Sequence, residues 1–129
     1  MDEIIRLHLM SGWLGMLAGV ASGAVIGLFF HRADWLGGYG AFPRRMVRLG
    51  HIAFFGVGFI SFLFALSAPL LAPAPAALAF ASRALLIGQA GMPALCFLTA
   101  WRPAFRHLFF IPVLAIAAAC ILLVAGGRA

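Results

Sequence analysis

Four stretches of this chain run uncharged, or nearly so, over lengths that match the apolar core of a bilayer. The first, Leu7 to Phe30, holds 24 residues without a charge. At about 1.5 Å per residue it extends about 36 Å, against about 30 Å of hydrocarbon. A second run opens at Leu49 and stays apolar to Pro69. The segment APLLAPAPAA (68–77) then sets Pro69, Pro73 and Pro75 close together. Proline removes backbone donors, so this segment reads as a turn between spans. A third run, Ala84 to Trp101, is broken by Gly88, Gln89, Gly91 and Pro93. It reads as a span whose freed backbone groups are satisfied by neighbouring helices, with a re-entrant segment as the alternative. The last run is Leu108 to Gly127.

Composition closes off a soluble alternative. Charged residues make up 9% of the 129 and hydrophobic ones 65%, while globular chains are about one quarter charged. The length suits one compact unit without a second, soluble domain. The N-terminal residues Asp2 and Glu3 are acidic and the run behind them is long, which does not read as a secretory signal. The expected fold is an all-α integral membrane four-helix bundle with short loops. Its helices are predicted at about 4–31, 47–71, 76–101 and 105–127, in a single transmembrane domain covering residues 1–129.

Every basic residue is arginine, and the net charge of +6 reads as topology rather than nucleic-acid binding. Four spans place Arg32, Arg44, Arg45, Arg48, Arg102 and Arg106 on one face. Arg6, Arg83 and Arg128 fall on the other, with Asp2 and Glu3. The positive-inside rule then makes the first face cytoplasmic and puts both termini outside. Trp35, Tyr39 and Trp101 fall at the same edge, where amphipathic rings are favoured. The expected location is a bacterial inner membrane.

Helix one carries the strongest pattern. Ser11, Gly15, Gly19, Gly23 and Gly27 recur at every fourth position. Small residues at this spacing, a glycine zipper, let another backbone approach closely, a main source of helix association in lipid. The partner is helix two, where Gly56, Gly58 and Ser61 form a smaller set, or a helix of another protein or a second copy.

Four histidines are candidates for ligation. His31, His51 and His107 fall at the arginine-rich ends of three helices and form a possible metal set. His51, His107 and His8 are possible haem b ligands, since imidazole pairs hold haem iron. Arg44, Arg45, Arg48, Arg102, Arg106 and Arg83 are possible contacts for haem propionates or anionic lipid. The plainer reading is that histidine sits comfortably at headgroup depth beside arginines. Cys96 and Cys120 lie at different depths and read as free thiols.

Some functions are disfavoured. No Asp or Glu lies inside a span, which argues against a small proton-coupled exporter. No Asn is present and Thr99 is the one threonine, unlike the small fluoride channels. His8, Trp13 and Gly15, with RRMVRLG (44–50) before helix two, resemble corresponding points of four-helix copper-resistance-type and haem-binding protoporphyrinogen-oxidase-type membrane proteins. The resemblance covers a small part of the chain. It implies a ligating role for the first-helix histidine, His8.

The expectation is therefore a non-catalytic subunit or accessory factor of a larger membrane complex, with respiratory and other redox complexes among the hosts. The alternatives are a b-type haem or metal protein in electron or quinol transfer, and a small pore or carrier.

Overall fold

The computed structural model describes residues 1–126; Arg128 lies outside them. Those residues form four α-helices and no strand. They are α1 (Asp2–Phe29), α2 (Phe42–Leu71), α3 (Pro75–Trp101) and α4 (Phe110–Gly126), with 3₁₀ turns at Trp35–Gly37 and Pro103–Leu108. With its leading 3₁₀ turn counted into the last, all four are long and apolar enough to cross a bilayer. This is the architecture of a multi-pass membrane protein.

Proline explains where helices begin. Ala41 is extended (φ −64°, ψ 145°) and Pro43 lies in the first turn of α2, so the helix starts at Phe42 rather than 47. Pro75 starts α3 in the same way. The turn between them is tight. Ala72 takes the left-handed conformation (φ 44°) that often ends a helix, and Pro73 follows. Residues 103–108 wind as 3₁₀, so α4 begins at Phe110 rather than 105. At the N-terminus, Asp2 and Glu3 lie in the first turn of α1, where the helix dipole favours acids.

Each helix packs antiparallel against the next in sequence, so α1 and α4 form the two edges of the bundle. The apolar core lies between α2 and α3: Val57, Phe64 and Ala68 meet Leu78, Ala81 and Leu85, with Ala119 contributed by α4. The two glycines that interrupt the third hydrophobic run form its contact with α4. A Cβ at Gly88 would strike the Ile116 side chain, and one at Gly91 would press Pro112 at 3.3 Å. Pro93 is buried inside α3, which continues through it from Pro75 to Trp101. A helix of that length extends about 40 Å.

On α1 the buried residues are His8, Gly12, Gly15, Gly19 and Ile26. They follow the four-three spacing of a coiled-coil seam rather than a strict four-residue step. The four-step ridge drifts off this seam. Gly15 meets the Phe54 carbonyl, Gly19 the Phe55 ring and Gly23 the His51 ring, while Gly27 has nothing within 4 Å. Between α1 and α2 the closest backbone approach pairs Gly12 with Gly58, each of whose Cβ positions lies 3.2 Å from the other's carbonyl oxygen. Gly56 has nothing within 4 Å.

Candidate functional site: a buried polar network around His8

His8 lies two turns into α1 and is fully buried, at 0% exposure. Both ring nitrogens are bonded to serines on other helices. Nδ1 lies 2.8 Å from Ser61 Oγ on α2, and Nε2 lies 2.9 Å from Ser82 Oγ on α3. Ser61 donates to Gln89 Oε1 at 3.0 Å, and Gln89 Nε2 donates to the Ser11 carbonyl at 2.6 Å. The Ser11 hydroxyl closes the ring. It donates to the His8 carbonyl at 3.2 Å and lies 3.1 Å from Ser61 Oγ.

The donors and acceptors fix the histidine tautomer. A carbonyl only accepts, so the Gln89 amino group faces Ser11 and its oxygen faces Ser61. The single Ser61 hydrogen then goes to Gln89, and His8 Nδ1 carries the proton that Ser61 accepts. Nε2 is left with its lone pair and accepts from the Ser82 hydroxyl. A neutral imidazole so placed has a partner at each ring nitrogen and stitches α1, α2 and α3 together. Lipid offers no water to replace such bonds, and interhelical side-chain bonds of this kind are worth about 0.6 kcal/mol on average and up to about 1.7 kcal/mol.

The spacing of Ser82 Oγ and His8 Nε2 is also that of a serine activated by a base. Ser82 is 4% exposed and His8 0%, so a substrate carbonyl has no approach to the pair. Phe64, whose ring centroid lies 4.5 Å from that of His8, walls the network off from an apolar cleft of about 220 Å³ between α2, α3 and α4.

A second buried polar group lies at the opposite end of the bundle. Arg44, in the first turn of α2, is 2% exposed. Its Nη2 donates to the Phe30 carbonyl at 3.1 Å and its Nη1 to the Arg32 carbonyl at 3.2 Å. The guanidinium thus caps the carbonyl end of α1, where the helix dipole favours a cation. The rings of Phe30 (4.9 Å), Trp35 (5.4 Å) and Tyr39 (5.5 Å) surround it. Arg44 is therefore turned inward and is not placed for direct contact with lipid or a cofactor, because two backbone carbonyls and three rings hold it there. Arg45, Arg83, Arg102 and Arg106 are exposed, and Arg48 is half-buried.

The histidines at the arginine-rich end are not drawn together. His51 Nδ1 donates to the Gly19 carbonyl at 2.9 Å, with Ser22 Oγ at 3.3 Å. The ring sits so close to Gly23 that a methyl group there would overlap it. His31 and His107 are exposed, and Arg106 Nε lies 3.5 Å from His107 Nε2. Among the described residues, no three His, Cys, Asp or Glu side chains are grouped to hold a metal. Equal depth on three helices did not bring His31, His51 and His107 to one face, because His51 is drawn into the α1 groove.

A haem held by His8 together with His51 does not fit either. His8 has both nitrogens engaged at the level of Ser61. His51 packs beside Gly23, 15 residues along α1 from His8 and so about 22 Å away along the axis. Cys96 is buried and Cys120 exposed, both as free thiols.

Reading the sequence missed Ser82 as a His8 partner and Gln89 as the bridge to Ser61. A usable signal was present. The chain has five serines and one side-chain amide, and Ser61, Ser82 and Gln89 are uncharged polar residues that α2 and α3 carry near the depth of His8. Comparison with protein-family models, curated proteins and solved structures finds no match to this chain.

Proposed function

We propose that this chain is a non-catalytic subunit or accessory factor of a larger membrane complex. It crosses a bacterial inner membrane four times with both termini outside. The observation that carries the reading is how the polar groups within the spans are spent. His8, Ser11, Ser61, Ser82 and Gln89 bond to one another, and the cleft of about 270 Å³ that Ser11 and Gln89 edge between α1, α2 and α3 is otherwise lined by apolar residues and Gly15. What the bundle offers its surroundings is packing surface. On the outer side of α1, Met10, Trp13, Leu14, Leu17 and Val20 are each more than half exposed, and the far end of the glycine ridge, at Gly27, is unspent. α4 is exposed along most of its length. Arginines gathered at one end supply the orientation.

The test is mild-detergent solubilisation of native membranes, followed by separation of intact complexes, with and without the gene. The reading expects the 13.7 kDa chain to migrate with one defined complex, and that complex to lose mass or abundance in the deletion strain. Migration as a free small protein with every complex unaltered would overturn it. So would a Soret band in the purified protein, which would favour the haem alternative.

A further inference from the structure

The arginine-rich end carries positive charge that the chain does not neutralise. Arg32, Arg44, Arg45, Arg48, Arg102 and Arg106 share this end with one acid, Asp34. Asp34 reaches Arg32 at 4.0 Å, with both side chains largely exposed. The excess is concentrated at the α1–α2 loop. Two guanidinium groups lie against the Tyr39 ring there, that of Arg44 at 5.5 Å and that of Arg48 at 4.5 Å. Two like charges thus share one aromatic ring. The ring attracts each of them but cancels neither. Arg44 is held in place by the Phe30 and Arg32 carbonyls, and its buried Nε has no hydrogen-bond partner.

The loop that presents Tyr39 is itself fixed. Gly37 and Gly38 take positive φ (86° and 99°), and Gly38 and Ala41 donate back to the Trp35 and Gly38 carbonyls. Tyr39 is left 60% exposed. A planar guanidinium matches two phosphate oxygens at once, and a phenol donates a further bond. Phe29, Phe30 and Leu36 expose apolar surface beside the loop, at the end of a bilayer-length helix. Phosphate chemistry next to exposed apolar rings suits a lipid rather than a free anion.

We infer that the α1–α2 loop binds the headgroup phosphate of an acidic phospholipid. Arg48 makes the charged contact, Tyr39 donates from its hydroxyl, and Arg44 supplies a fixed positive charge behind the ring. The site depends on no protein partner, so it goes beyond the proposed function and stands or falls apart from it.

The experiment is native mass spectrometry of the whole protein released from nanodiscs containing equal phosphatidylglycerol and phosphatidylcholine. The wild-type chain is expected to retain phosphatidylglycerol preferentially. Arg48→Gln should reduce that preference about fivefold. Tyr39→Phe keeps the ring under both arginines and should reduce it by less. Arg83→Gln, at the other end of the bundle, should leave it unchanged, and matching helical circular dichroism controls for folding. Equal retention of the two lipids by the wild type would overturn the inference. So would an equal loss on Arg83→Gln, which would reduce the effect to net charge. Displacement of the lipid by inorganic phosphate would overturn the lipid assignment in favour of a soluble anion.

Discussion

Replacing His8 with alanine is expected to destabilise the bundle in mild detergent by about 2–4 kcal/mol. Two losses add. The imidazole packs against Phe64, 4.5 Å away between ring centroids, and alanine would leave that space unfilled. The Ser82 hydroxyl loses its bond to the imidazole, while Ser61 loses one of its bonds but keeps Gln89. In water such a hydroxyl would find a replacement; in a bilayer it does not. Ser82→Ala removes a single bond and should cost less, near the average of about 0.6 kcal/mol measured for interhelical bonds in lipid. A double-mutant cycle on His8 and Ser82 should therefore show coupling of about 0.6–1.7 kcal/mol. Reversible unfolding in mixed micelles measures all three variants. An His8→Ala variant as stable as the parent would mean that the imidazole reaches interfacial water instead of the serines.

Gly12→Leu is expected to be comparably damaging, at about 3 kcal/mol, for a reason that involves no polar group. A Cβ at Gly12 would already lie 3.2 Å from the Gly58 carbonyl oxygen and from the Phe62 ring. The rest of a leucine side chain would have to displace the α2 backbone, which cannot rotate aside as a side chain can. Moving α1 outward would also stretch the His8 bonds, one turn away. Gly27→Leu lies on the same helix and belongs to the same sequence pattern, but has nothing within 4 Å. It should change the stability of the isolated bundle by no more than about 0.5 kcal/mol. If the two substitutions have equal effects, α1 and α2 do not approach through Gly12 and Gly58. If Gly27→Leu leaves the bundle intact but releases the chain from its complex, the unspent end of the ridge is the docking surface.

The helices were legible because their cause is local. Uncharged runs of bilayer length, ended by arginines and prolines, fix four elements with little reference to one another. The starts of α2 and α4 were less legible. RRM (44–46) reads as a polar linker until Arg44 is seen to turn inward and cap α1, and residues 103–108 take a 3₁₀ path that no run of apolar residues announces. The interrupted third run looked weak for the reason that makes it fit. Gly88 and Gly91 are the places where α4 comes close, which only a packed neighbour reveals.

The site was half legible. His8 stands out as an ionisable residue inside a span, but its partners lie 53 and 74 residues away in sequence. Their role depends on which helix faces meet. The glycine ridge shows the same limit. A four-residue step names small residues but not the face they share, and the seam against α2 picks Gly12, outside the repeat, and leaves out Gly27. The three histidines at one depth were misleading because depth is readable from sequence and azimuth around the helix is not.

The most direct test of the account is the side of the membrane on which four positions lie. In a background with Cys96 and Cys120 replaced by alanine, single cysteines at Asp2, Asp34, Ala74 and Arg106 can be treated with a membrane-impermeant maleimide. Four spans with both termini outside predict labelling of Asp2→Cys and Ala74→Cys in intact cells, and of Asp34→Cys and Arg106→Cys only after permeabilisation. Asp34→Cys and Arg106→Cys on opposite sides would contradict the account, because α3 would then fail to cross and the arginine-rich end would not exist as one face.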